Sequence, residues 1–177
     1  RPGVPRRASR HPRAAVSGRL AHEVRIIGGH WKRSKLPVAD KPGLRPTPDR
    51  VRETLFNWLT HLRPDLAQVN GLDLFAGTGA LGFELASRGA RTVTLVESDA
   101  RALAALHAVR DRLAARQVEI VAGDALAVAA RLPAAAYDIV LLDPPFAASL
   151  QLPALVAARR LLAPDGLVYL EAPAALD

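Results

Sequence analysis

The chain has 177 residues, half of them hydrophobic, with 24 Lys/Arg against 17 Asp/Glu, no cysteine and no methionine. That length is enough for one α/β domain with its own core. Without cysteine there is no disulfide framework or thiolate metal site, and no apolar run approaches the roughly 18 residues of a membrane span. No apolar stretch follows the basic N-terminus, so it does not read as a secretion signal, and a cytoplasmic location is expected.

Charge is spread unevenly. Residues 1–63 hold 15 Lys/Arg and 4 Asp/Glu, whereas residues 64–177 hold 9 and 13. The first part suits a polyanion, although such tails can also simply solubilise. Residues 1–22 mix Pro, Gly, Ser and Arg with few large apolar residues. They bury too little surface to offset ordering and are expected to be disordered.

Residues 23–64 are expected to form a basic unit of an arm and a helix, suited to a polyanion. VRIIGGHWKRSKLPV reads as a hairpin or extended arm, with Arg25 before its Gly-Gly and Trp31, Lys32, Arg33 and Lys35 at its basic tip. In LRPTPDRVRETLFNWLTHL, Thr47 suits an N-cap and Pro48 the first helical position. Val51, Leu55, Leu59 and Leu62 recur at helical spacing, which predicts a helix over 48–62 with that stripe as its apolar face. Arg50 adds a further cation beside the arm.

From residue 65 onward the pattern is strand, loop, helix, repeated. GLDLF, TVTLVE, VEIV, YDIVLLD and GLVYLE are short apolar runs of the kind buried in parallel sheets. Helical stretches separate them. The prediction is an α/β domain with a doubly wound, mainly parallel, Rossmann-like sheet and a basic N-terminal extension. In such a sheet ligands bind beyond the carboxyl ends of the strands.

Asp73 lies within the first of these runs, and Gly77, Gly79 and Gly82 follow as G-x-G-x-x-G. The glycines let a ligand approach the backbone and bring helix and strand together. A carboxylate at position 73 repels a pyrophosphate but suits an ammonium, which favours S-adenosylmethionine over a nicotinamide dinucleotide. Glu97 ends the second strand, where an acid can accept from ribose hydroxyls or serve the start of the next helix, for which Ser98 and Asp99 are suitable caps. Asp124, after the third strand, stands where an adenine amine can donate to it. The fourth strand ends in Asp143-Pro144-Pro145-Phe146. The Asp143 carboxylate and the stiff carbonyl beside it offer two acceptors for an exocyclic N–H₂, and Phe146 offers a face for an unpaired or flipped base. His22, His30, His61 and His107 show no metal spacing, and no metal is expected.

Assembled, these stretches resemble a class I S-adenosylmethionine-dependent methyltransferase, and more narrowly the RsmD family of bacterial 16S rRNA guanine-N2 methyltransferases. RIIGGHWKRSKLPV, GLRPTPDRVRETLFNWL, DLFAGTGALGFELASRGA, VTLVESD, GDA and LLDPPF carry the resemblance over residues 25–146. It implies that Asp73, Phe75, Ala76, Gly77, Thr78 and Gly79 surround the donor's methionine part. It also implies Glu97 and Ser98 at the ribose, Asp124 and Ala125 at the adenine, and Arg45, Pro46 and Thr47 folded over the pocket. Asp143, Pro144, Pro145 and Phe146 would hold the guanine, in 16S rRNA within the small subunit or an assembly intermediate; apart from the resemblance, a monomer is the simplest expectation. Similar D-P-P-Y and N-P-P-Y tips serve methyltransferases of adenine N6, cytosine N4 and protein glutamine, so the tip alone defines an amine acceptor. Family members continue past GLVYLE into a further helix and antiparallel strands; either that tail has been removed here or the sheet is open at this edge. A nicotinamide oxidoreductase, a methyltransferase of another amine and a non-catalytic rRNA-binding assembly factor are the alternatives.

Overall fold

A computed structural model of the chain describes residues 24–38 and 47–174. The basic tail 1–22 and the candidate donor-site residue Arg45 lie outside the described residues.

The arm is a short hairpin. β1 (Val24–Arg25) pairs antiparallel with β2 (Lys35–Leu36), Val24 opposite Leu36. The inward-facing Val24, Ile26 and Leu36 are buried in the main core.

α1 spans Asp49–Leu62, and two expectations about it are corrected. Pro48, not Thr47, precedes the first turn, with ψ 147° and its carbonyl accepting from the amides of Val51 and Arg52. Pro48 itself is extended, and the Thr47 hydroxyl donates instead to Glu171 Oε2, so Thr47 makes no cap. No side chain caps the helix. The inward face is also rotated from the expected stripe, although Leu59 and Leu55 stay against the core. Val51 and Leu62 are exposed, and the buried positions are Arg52, Phe56 and Leu59.

Arg52 explains the rotation. Its guanidinium is fully buried and donates to the carbonyls of Arg25 (2.9 Å) and Thr47 (3.4 Å) and to Asp49 Oδ1 (2.6 Å). Nη1, the nitrogen that bonds the Arg25 carbonyl, also lies 3.9 Å from Glu84 Oε2. Glu84 in turn accepts from the amides of Ile27 (2.8 Å) and Gly28 (2.9 Å) and from Arg88 Nε (2.9 Å). Arm and α1 are therefore pinned to one buried, fully paired charge network.

The five remaining strands are β3 (Asn70–Asp73), β4 (Thr92–Glu97), β5 (Val118–Ala122), β6 (Tyr137–Leu142) and β7 (Leu162–Leu170). They form one sheet in the order β5-β4-β3-β6-β7, every neighbouring pair parallel. The doubly wound parallel sheet is thus as expected. The helices between the strands are α2 (Ala80–Ser87), α3 (Ala100–Arg112), α4 (Ala125–Arg131) and α5 (Gln151–Leu161).

Period-two alternation sends residues to two cores. Ile139 and Leu141 pack with the arm, α1, α2 and α3, whereas Val140 and Leu142 pack with α4 and α5. β7 pairs only with β6 among the described residues and forms an edge. Beside it, Val51, Leu55, Trp58 and Leu62 of α1 face Leu167 and Tyr169 across an open groove of about 500 Å³. The chain winds outward from β3 through β4 to β5, then returns to β6 and β7. That reversal opens a crevice at the carboxyl ends of β3 and β6, where Asp73 and Asp143 stand.

Candidate active site

Each of the five parallel strands ends at, or within two residues of, an acid: Asp73, Glu97, Asp124, Asp143 and Glu171. The glycine loop lies between the first two. Gly77 and Gly79 have φ of +54° and +82°, a region that costs most side chains strain. No atom lies within 4 Å of where a Cβ on Gly77 would stand, so the loop is open on that side. At Gly82 a Cβ would lie 2.0 Å from Leu95, which shows how closely α2 packs on β4.

Asp73 is buried beneath this loop. Its two oxygens accept from the amides of Phe75 (3.3 Å) and Gly82 (3.1 Å). Burial above all, then the charge of Asp143, pushes its carboxyl up to about 7 against the pull of those amides.

Glu97 pins the loop from the second strand. Oε2 accepts from Gly77 N–H (2.8 Å), and Oε1 from Ser98 (3.0 Å) and Asp99 (2.9 Å). A carboxylate has about four acceptor positions, so one remains for a ligand hydroxyl. Of the two candidate caps for α3, Asp99 takes the role, accepting from Ala102 N–H. Asp124 caps α4 by accepting from Ala127 N–H (3.0 Å) and is otherwise exposed, with Ala125 buried behind it. Thr78 Oγ1 accepts from Ala80 N–H, and Ala76 is buried.

The fourth tip combines stiffness with an exposed ring. Pro144 is buried, Pro145 is exposed, and Phe146 is 49% exposed at the start of a short 3₁₀ turn. Asp143 is half-buried, and its carboxyl is raised to about 7, by burial first and then by the charge and hydrogen bond of Glu171. Glu171 was not among the sequence candidates. It follows β7, where its amide donates to Leu142 O (2.8 Å), and its Oε2 accepts from Thr47 Oγ1 (2.9 Å). Reading the residue after every strand, the last included, would have found it. Thr47 therefore reaches the strand tips through Glu171, not through helix capping.

The arm tip lies elsewhere. His30 N–H donates to Ser87 O, and Trp31 N–H to Ser87 Oγ, at the end of α2 away from the glycine loop. Trp31 is half-buried against the core, and Lys32, Arg33 and Lys35 are exposed. Arg25 is exposed on β1, and Arg50 is exposed beside the α1–β7 groove. Among the described residues no group of three or more His, Asp or Glu is placed to hold a metal, and no helix is long and apolar enough to cross a membrane.

An open parallel sheet that rings its glycine loop with carboxylates suits a cationic, phosphate-free ligand, and it marks a class I methyltransferase rather than a dinucleotide enzyme. Comparison with known proteins narrows this class. The family model described as "Conserved hypothetical protein 95" matches residues 24–176, and the chain belongs to that family, that of small-subunit ribosomal RNA methyltransferase D. Ribosomal RNA small subunit methyltransferase D of Escherichia coli K12 is 43% identical over 151 residues, covering 84% of this chain and 74% of that protein. Its Haemophilus influenzae counterpart is 43% identical over 156 residues, covering 84% and 78%. A solved structure from Escherichia coli, described as a candidate methyltransferase, superposes with a TM-score of 0.74 at 41% identity, covering 85% of this chain and 82% of that one.

Proposed function

We propose that the protein transfers a methyl group from S-adenosylmethionine to the exocyclic N2 of a guanine in 16S ribosomal RNA. The observation that carries this reading is the fourth strand tip, where a half-buried Asp143, a buried Pro144 and an exposed Phe146 stand across the crevice from the glycine loop. The relatives named as small-subunit rRNA methyltransferases support the substrate class.

The residues present fit the donor. Asp73 and its neighbours receive the ammonium end, the free acceptor position of Glu97 takes a ribose hydroxyl, and Asp124 with Ala125 faces the adenine. The open side of Gly77 admits the ligand against the backbone. When bound, S-adenosylmethionine supplies a methyl group already activated on a sulfonium, so the protein's task is placement.

Asp143 and the Pro144 carbonyl accept the two N–H bonds of the amine and aim its lone pair at the methyl carbon. Phe146 stacks on the base, which must be unpaired or flipped to arrive. As the N–C bond forms and the C–S bond breaks, the amine's extra proton passes to Asp143 or to water. Lys32, Arg33, Lys35, Arg25 and Arg50 contact RNA phosphates, with Trp31 beside them. With the arm tip at the far end of α2, the RNA footprint extends well past the pocket.

Asp143→Ala tests this directly. Turnover should fall at least about a thousandfold, while donor affinity by calorimetry stays within about threefold, because the donor and acceptor contacts are separate. Retained turnover would remove Asp143 from the chemistry.

A further inference from the structure

Two acceptors that hold a primary amine take guanine, adenine or cytosine alike, so the Asp143–Phe146 tip does not choose the base. A second acceptor group stands beside it. The amide of Glu171 donates to Leu142 O (2.8 Å), so the parallel register of β6 and β7 sets Glu171 next to Asp143 at adjoining strand tips. Its carboxyl hydrogen-bonds that of Asp143. The hydroxyl of Thr47 donates to its Oε2 at 2.9 Å. With about four acceptor positions on a carboxylate, these contacts orient Glu171 and leave capacity facing Asp143.

We propose that Glu171 is the specificity-determining residue of the acceptor pocket, its carboxylate accepting the N1–H of guanine while Asp143 and the Pro144 carbonyl hold the N2 amine. This rests on the reading of Asp143–Phe146 as the amine site. Guanine presents two adjacent donors, N1–H and N2–H, that match two adjacent carboxyl groups. Adenine and cytosine carry a lone pair next to the amine instead, which would face the Glu171 carboxylate and leave it unpaired. Asp73 from β3 and Tyr169 from β7 are the other titratable groups that act on Asp143 or Glu171 from neighbouring strands. Burial first, and then the neighbouring Glu171, raises the Asp143 carboxyl, which shows how closely the two groups stand.

The test uses small subunits reconstituted with 16S rRNA carrying either guanine or 2,6-diaminopurine at the methylated position. 2,6-Diaminopurine keeps the N2 amine but has a lone pair at N1. The wild type should prefer guanine by roughly 10- to 100-fold in kcat/KM, the usual scale for one hydrogen bond to a charged group. Glu171→Gln, whose amide can donate to that lone pair, should bring the preference to within about threefold while donor affinity is unchanged. A wild type indifferent to the two bases, or a preference that Glu171→Gln does not move, overturns the role of Glu171. Absence of N2-methylation with guanine itself would instead refute the amine-site reading.

Discussion

Asp73→Asn should change the sign of its effect on stability between acid and alkaline pH. Asp73 is 1% exposed, and its carboxyl is pushed up to about 7 by burial and by Asp143. In the unfolded chain it titrates near 3.9. A raised carboxyl contributes stability that is complete below the unfolded value and is lost as pH rises through the folded one. Three pH units at about 1.4 kcal/mol each make the loss ~4 kcal/mol by pH 8. Asparagine does not ionise, but it keeps only one acceptor for the amides of Phe75 and Gly82, at a cost of about 1–2 kcal/mol. The variant should therefore be less stable than the wild type by about 1–2 kcal/mol near pH 4 and more stable by about 2–3 kcal/mol near pH 8. Urea unfolding at both pH values reads this, and melting temperatures should differ by roughly 2–4 °C per kcal/mol. Donor affinity should drop at least about tenfold, so the charge costs stability where the ligand needs it. A difference that stays constant with pH would refute the reasoning.

Three further outcomes follow from other contacts. Gly82→Ala forces a methyl to 2.0 Å from Leu95 in the core and should cost about 2–4 kcal/mol in denaturant unfolding; a loss under about 0.5 kcal/mol would mean that α2 can shift. Arg52→Met removes one partner of a buried charge network and should cost about 3–5 kcal/mol, read by the same assay. Lys32→Glu with Arg33→Glu should weaken RNA binding and flatten its salt dependence without changing donor affinity. An unmoved RNA affinity would take the arm out of the interface.

The strands were legible because buried parallel strands are continuous apolar runs bounded by turn residues, as TVTLVE at 92–97 and YDIVLL at 137–142 show. The glycine loop was legible for a similar reason: positive φ at Gly77 and Gly79 leaves few other residues possible. The face of α1 was legible only at Leu55 and Leu59. A pattern reading counts Arg52 as polar and turns the helix outward, but Arg52 is buried because Glu84, Asp49 and two backbone carbonyls pair with it from distant parts of the chain. Glu171 escaped for a related reason. On its own it is one more strand-end acid; its link to Asp143 and Thr47 exists only once β6 and β7 lie side by side. The position of the arm tip under α2 depends likewise on backbone contacts with Ser87 that no local spacing encodes.

The most direct test of the central claim is to incubate the protein with methyl-labelled S-adenosylmethionine and small ribosomal subunits from cells that lack it, then identify the labelled nucleoside and its position. The account predicts label in N2-methylguanosine at a single site of 16S rRNA. Label in any other nucleoside, or none where donor binding is intact, would contradict it.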